Sequence, residues 1–197
     1  MKKLQFFYST MNAGKSMHLI MKFNNYIELG LKPLVVVPNG LKTKVKSRTG
    51  FEIEAINFNS LVDIDLKEEK YDCVLVDESQ FLTRKQVEFL SILTYLDIEV
   101  ICYGLKISSS GNVFEGSNFL FGLADEVNEI PSLCMCSDKA TMHIRTFNGE
   151  LELSDKVISK TDGNVEYISL CKKCYYDILS GEKDANFLAK LYGNSKK

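Results

Sequence analysis

Residues 9–16 read Ser9-Thr10-Met11-Asn12-Ala13-Gly14-Lys15-Ser16. This stretch fits a phosphate-cradling loop at every fixed position but the first, where Ser stands for Gly. Such a loop wraps backbone N–H groups round the phosphates of a nucleoside triphosphate and aims a helix N-terminus at them. In the pattern, Lys15 brings charge to the β- and γ-phosphates and the Ser16 hydroxyl ligates Mg²⁺. An apolar run, Leu4 to Tyr8, precedes the loop and a helical pattern follows it, as the motif requires.

Cys73-Val74-Leu75-Val76-Asp77-Glu78 is an apolar run that ends in two carboxylates. Asp77 stands where an acid reaches the Mg²⁺ of a bound triphosphate. Glu78 is a second carboxylate, able to accept a proton from an attacking oxygen. The attacker is water in an ATPase and a substrate hydroxyl in a kinase, and these residues leave both open.

Two further pairs carry a different chemistry. Cys134-Met135-Cys136 and Cys171-Lys172-Lys173-Cys174 offer four thiolates at spacings that suit tetrahedral Zn²⁺. A closed four-cysteine set is structural rather than catalytic. Cys73 and Cys102 lie inside apolar strands and read as inert core thiols. His18 and His143 have no partner at ligand spacing and read as structural.

The elements that must carry these groups alternate. Strands are expected at Leu4 to Tyr8, Leu34 to Val37, Phe51 to Ile56, Cys73 to Val76 and Ile98 to Tyr103. Helices are expected from Lys15 to Leu29, stopped by Gly30, and from Thr83, where Gln86 completes a capping box. A third helix is expected to open at Ser117. The alternation implies βαβ units: an α/β fold with a mostly parallel sheet and helices on both faces. Sites in such sheets lie beyond the carboxyl ends of the strands. Near Pro131 the pattern changes to a polar stretch with little helical periodicity. The domain reading is a nucleotide-binding domain at 1–131, a zinc-binding module at 132–181 and a tail at 182–197.

The 197 residues carry 24 basic and 26 acidic side chains, a formal net charge of −2. That balance argues against nucleic acid as a main partner. No apolar run is long enough to span a bilayer, and the run after Met-Lys-Lys is too short for a signal core. The expectation is a cytoplasmic protein without a membrane partner. The basic loop of Lys42, Lys44, Lys46 and Arg48 reads as solvated, with phosphate contact left open.

On these residues the chain resembles the type II thymidine kinases, small, zinc-containing and cytosolic. The likeness is carried by Tyr8 to Ser16, Val76-Asp77-Glu78-Ser79-Gln80-Phe81, Cys102-Tyr103-Gly104-Leu105, both Cys pairs and Tyr167-Ile168-Ser169-Leu170-Cys171. It runs over roughly residues 3 to 178 and implies a RecA-like P-loop fold with a C-terminal zinc module. It implies transfer of the ATP γ-phosphoryl group to the 5′-hydroxyl of thymidine or deoxyuridine, with Mg²⁺ at Ser16 and Asp77. Glu78 is the implied general base, and Asp77, Glu78, Ser79 and Gln80 join residues 9–16 in the ATP site. Met11, Phe81, Leu105, Ser109 and Tyr167 are the implied nucleoside contacts. A loop within Val157 to Tyr167 is implied to close over the base. A homotetramer inhibited by dTTP is also implied. Other P-loop nucleoside kinases, ATPases and nucleotide sensors on the same scaffold are the alternatives.

Two stretches depart from the resemblance. Asn39-Gly40-Leu41-Lys42-Thr43-Lys44 lacks the Asp-x-Arg common after the second strand, so Lys42, Lys44 or Lys106 is left to supply charge. Ser108-Ser109-Ser110 stands where relatives carry an aromatic side chain, often followed by Arg.

Overall fold

In the computed structural model, residues 2–153 and 164–184 are described. The elements are β1 (Leu4–Ser9), α1 (Lys15–Glu28), β2 (Pro33–Val37), β3 (Lys44–Lys46), β4 (Glu52–Glu54), β5 (Ile56–Asn57), α2 (Phe58–Val62) and β6 (Cys73–Val76). A 3₁₀ turn (Ser79–Phe81) precedes α3 (Arg84–Tyr95), β7 (Glu99–Leu105), α4 (Glu115–Leu123) and β8 (Glu126–Glu129). After these come β9 (Met142–Phe147), β10 (Glu150–Glu152), β11 (Val165–Leu170) and α5 (Lys172–Leu179).

Six strands form one sheet in the order β5-β2-β6-β7-β1-β8. β2 runs parallel to β5 and β6, β6 to β7, and β1 to β8. Alternation along the strands sends side chains to two separate cores, because successive residues of a strand face opposite ways. Leu4, Phe6, Leu34, Val36, Val74, Val76, Val100 and Cys102 pack with α2, α3 and α4. Phe7, Val35, Val37, Leu75, Ile101 and Tyr103 pack with Leu19, Ile20 and Phe23 of α1 and with Val45 and Ile53. Helices therefore cover both faces, as the βαβ pattern predicts.

Helix boundaries follow local chemistry. Gly30 at φ 75° takes the left-handed turn that ends α1. Thr83 caps α3 reciprocally with Gln86, whose Oε1 accepts the Thr83 N–H at 2.9 Å. Ser117, expected as a cap, is instead inside α4, which opens after Phe114. The Ser117 hydroxyl donates to the Leu105 carbonyl at 2.5 Å. Phe51 to Ile56 is not one strand either: β4 pairs antiparallel with β3 as a hairpin, and β5 joins the sheet edge.

The described residues fall into two compact units, and sequence neighbours do not always share one. The sheet unit holds Met1–Tyr8, Gly14–Lys106 and Phe114–Ile130, of which Met1 is not described. The cysteine unit holds Ser9–Ala13, Ile107–Val113 and the described part of Pro131–Lys197. In the cysteine unit, antiparallel strands in the order β10-β9-β11 pack on α5 through Ile144, Ile168, Leu170, Tyr175 and Ile178. Sequence periodicity gave little sign of α5. Its first turn is set by Cys171, whose thiol accepts the Cys174 N–H at 3.4 Å. Of the expected lid, 157–163 lie outside the described residues, as does 185–197 of the tail.

Candidate functional site

The phosphate loop ends in left-handed backbone at Asn12 (φ 67°) and Gly14 (φ 85°), and α1 starts at Lys15. Left-handed residues at such a turn bring successive N–H groups to one concave side. Gly14 is required there, since a Cβ strains that conformation. In the sheet unit, Ser16 Oγ donates to Asp77 Oδ2 at 2.9 Å. A hydroxyl and a carboxylate thus converge, the oxygen donor set that a hard cation such as Mg²⁺ takes. Asp77 is 5% exposed. Burial and the neighbouring Glu78 charge both raise its carboxyl pKa, against the Ser16 hydrogen bond. Burial lowers the Lys15 ammonium to about 8, partly offset by Glu78 and Asp77, and Arg48 lowers it further.

Glu78 sits at the bend that follows β6, with φ 53°. A non-glycine residue in that region costs about 1–3 kcal/mol and persists only where the surroundings over-determine it. They do so here. Gln80, 2% exposed, donates from Nε2 to Glu78 Oε2 at 2.6 Å and accepts the Leu105 N–H on Oε1 at 3.0 Å. Gly104 and Gly116 let β7 and α4 close on the turn. A Cβ on Gly104 would stand 2.7 Å from Ser79 Oγ. One on Gly116 would meet the Leu82 and Gln80 carbonyls at 2.8 and 2.9 Å and the Ser79 carbonyl closer still.

The basic loop resolves into distinct roles. Lys44 is engaged by Glu52 and Glu54 at 3.1 and 3.0 Å across the β3–β4 hairpin. These are exposed pairs that brace the hairpin. Arg48 lies at the hairpin tip. Its neighbour Thr49 approaches Met17 in the first turn of α1, hydroxyl to sulfur at 3.7 Å.

In the cysteine unit, residues 107–113 form a closed turn. Ser108 N–H donates to Asn112 O at 2.8 Å, and Tyr175 Oη donates to Ser109 O at 3.1 Å. Ser109 is 5% exposed. In the sheet unit, Phe114 packs edge-on against Phe81 with ring centroids 5.6 Å apart, leaving Phe81 half exposed. Of the implied nucleoside contacts, Phe81 and Leu105 belong to the sheet unit, and Met11, Ser109 and Tyr167 to the cysteine unit.

The four thiols of Cys134, Cys136, Cys171 and Cys174 come together with all sulfurs within 4.8 Å of one another. Cys136 and Cys171 sulfurs are 3.5 Å apart. Tetrahedral Zn²⁺ with bonds of about 2.3 Å sets sulfur–sulfur edges of about 3.8 Å, so the set fits the ion. The Lys183 ammonium lies 3.3 Å from the Cys174 sulfur and offsets thiolate charge. Cys73 and Cys102 are core thiols, as expected; burial pushes Cys73 up to about 12 and Cys102 upward as well. His18 is part of the packing, its Nδ1 3.0 Å from the Tyr103 hydroxyl and its ring against Phe7. His143 packs edge-on to Tyr167. No helix among the described residues is long and apolar enough to cross a membrane.

Of the residues singled out from the sequence, the structure brings Ser16 to Asp77 and gathers the four cysteines. Sequence reasoning missed what holds them: the two-sided grip of Gln80, the small-residue contacts of Gly104 and Gly116, and the bonds from β11 to the front of the phosphate loop.

Comparison with known proteins adds a family. A family model described as thymidine kinase matches residues 2–175. The chain is 41% identical over 184 residues to a protein named thymidine kinase from Rhodopirellula baltica, covering 87% of each. It is 40% identical over 189 residues to one of the same name from Streptococcus pyogenes serotype M6, covering 90% of this chain and 98% of that one. A third so named, from Zymomonas mobilis, is 38% identical over 192 residues, covering 91% and 99%.

Proposed function

Since the chain belongs to the thymidine kinase family, and is an ATP- and Mg²⁺-dependent enzyme that phosphorylates thymidine, we propose that Glu78 is its general base. The observation that supports this is the Gln80 bond, which fixes one oxygen of the Glu78 carboxylate and leaves the other as a proton acceptor.

The reaction joins the thymidine 5′-oxygen to the γ-phosphorus as the bond to the β-γ bridging oxygen breaks. The hydroxyl proton passes to Glu78, and ADP leaves with the bridging oxygen. Residues Ser9 to Ser16 bind the triphosphate through backbone N–H groups, and the Lys15 ammonium counters charge on its terminal oxygens. Ser16 and Asp77 hold Mg²⁺, which when bound neutralises charge on the phosphate oxygens. Ser79 and Gln80 complete the ATP-site turn, with Gln80 acting on Glu78. Met11, Phe81, Leu105, Ser109 and Tyr167 contact the nucleoside. The four cysteines hold a structural Zn²⁺.

Along the chain the proposed division is a nucleotide-binding domain at 1–131, a zinc-binding module at 132–181 and a tail at 182–197, with 9–13 and 107–113 grouped with the cysteine unit. The family likeness also supports a cytoplasmic homotetramer inhibited by dTTP, with deoxyuridine as a second substrate. The charge balance supports a protein without a nucleic-acid partner.

ADP release is the test of the function. Formation of ADP from ATP that depends on thymidine, with little on deoxycytidine, deoxyadenosine or deoxyguanosine, is the expected result. ADP formed equally without any nucleoside would make the chain an ATPase and overturn the reading.

A further inference from the structure

Three side-chain bonds tie the front of the phosphate loop to β11. Ser169 Oγ donates to the Met11 carbonyl at 2.5 Å. It lies 3.1 Å from Thr10 Oγ1, and Asn12 Nδ2 donates to the Tyr167 carbonyl at 2.7 Å. All these residues lie within the cysteine unit. Ser169 is 3% exposed and Thr10 6%. A hydroxyl carries one proton. With the Ser169 proton on Met11, Thr10 is the donor to Ser169, in preference to its longer 3.4 Å approach to the Met11 carbonyl.

We propose that Ser169 is a positioning residue for the phosphate loop, fixing the Met11–Asn12 peptide so that its N–H is presented to the ATP phosphates. A trans peptide is planar, with its C=O and N–H pointing to opposite sides. Anchoring the Met11 carbonyl on Ser169 therefore turns the Asn12 N–H away from β11. That N–H belongs to a residue already in left-handed backbone at φ 67°, next to the Gly14 turn. Without the anchor the Met11 carbonyl keeps only the longer 3.4 Å approach of Thr10 Oγ1, so the peptide is less firmly set and the cradle loses part of a preset donor. The anchor is itself held. Ser169 pairs with His143 across the β9–β11 ladder. Two residues on, Cys171 belongs to the cysteine cluster. A metal held by the cluster would thus fix the end of the strand that sets the loop.

This inference rests on the reading that Ser9 to Ser16 cradle the ATP phosphates, so the experiment separates the two. ADP·Mg²⁺ affinity is measured by titration calorimetry for wild type, Lys15→Ala, Ser169→Ala, Ser169→Thr and Thr10→Val, each checked for one zinc per chain. Wild type should bind and Lys15→Ala should bind weakly; equal binding by these two defeats the phosphate-loop reading itself. Given that difference, Ser169→Ala should weaken ADP binding and raise KM for ATP by about fivefold, the size expected for one hydrogen bond. KM for thymidine should stay within about twofold, and Ser169→Thr, which keeps the hydroxyl, should restore most of the loss. Unchanged ADP affinity in zinc-loaded Ser169→Ala overturns the inference. So does an equal rise in both Michaelis constants. If Ser169→Ala loses zinc, Thr10→Val decides: weaker ADP binding with zinc retained supports the anchor, and unchanged binding overturns it.

Discussion

Gln80 orients Glu78 with one end of its amide and is itself oriented by the other: Nε2 reaches Glu78 Oε2 at 2.6 Å, and Oε1 takes the Leu105 N–H at 3.0 Å. The backbone of β7, which lies between β1 and β6 in the sheet, thereby sets the direction of a carboxylate on the turn after β6. Gln80→Glu keeps an acceptor for Leu105 but replaces the donor to Glu78 with a like charge. We expect kcat to fall by about tenfold or more, up to the 10²- to 10⁴-fold that a general base contributes, with both Michaelis constants within a few-fold. Steady-state kinetics check this; an unchanged kcat would show that the bond has no part in turnover.

Arg48 is a guanidinium whose charge is felt at Lys15, which makes it the residue to test for the charge that the missing Asp-x-Arg would supply. It sits at the tip of the hairpin whose Thr49 touches α1, and its charge lowers the pKa of Lys15. Arg48→Ala should raise KM for ATP and lower kcat, each by about three- to tenfold, the scale of one charge-assisted hydrogen bond. Lys44→Ala should leave both constants unchanged, because it loses only exposed ion pairs worth about 0–1 kcal/mol. The reverse pattern in the two variants would place the phosphate charge on Lys44.

Gly116 should not accept a side chain. The atoms that an added Cβ would meet are backbone carbonyls of the 3₁₀ turn, which cannot swing aside. Gly116→Ala should cost about 1–3 kcal/mol of stability, the usual penalty for overpacking, and should reduce kcat by displacing Glu78. Denaturant unfolding and a rate assay at low temperature measure both; a variant as stable as wild type would mean that α4 can move back without cost.

Zinc removal should reach further than the nucleoside. From sequence, the cysteine module and the phosphate loop read as separate parts of the chain, so a metal defect would raise the Michaelis constant for nucleoside far more than that for ATP. The structure groups Ser9–Ala13 with the cysteine unit through β11. A sample should carry one Zn²⁺ per chain, and Cys171→Ser should raise KM for both thymidine and ATP. Metal analysis and the two Michaelis constants test this, and an effect confined to thymidine would contradict the link.

What the sequence reveals is whatever is encoded locally. The phosphate loop, the β6 run into Asp77 and Glu78, the Thr83–Gln86 cap and the paired cysteines are each short patterns with one physical meaning. What it hides depends on approach between distant segments. Ser117 reads as a helix cap but bonds a carbonyl of β7, and Gly104 carries no hint that Ser79 lies against it. Ser109 lies in the serine run that stands where relatives carry an aromatic side chain. In the structure it is buried, with its carbonyl bonded to Tyr175, so a phenyl group there would overpack rather than fill. The α5 helix is short, and its first turn is set by cysteine chemistry rather than by apolar periodicity.

Glu78→Gln tests most directly whether Glu78 takes the proton from the thymidine 5′-hydroxyl. The amide keeps the size of the side chain and loses its proton affinity. Phosphoryl transfer from ATP to thymidine should fall by about 10²- to 10⁴-fold. Binding of ADP·Mg²⁺ and thymidine, measured by calorimetry on the same sample, should stay within a few-fold of wild type. Turnover near the wild-type rate in a folded, zinc-loaded Glu78→Gln would contradict the account and leave Glu78 a structural residue of the turn.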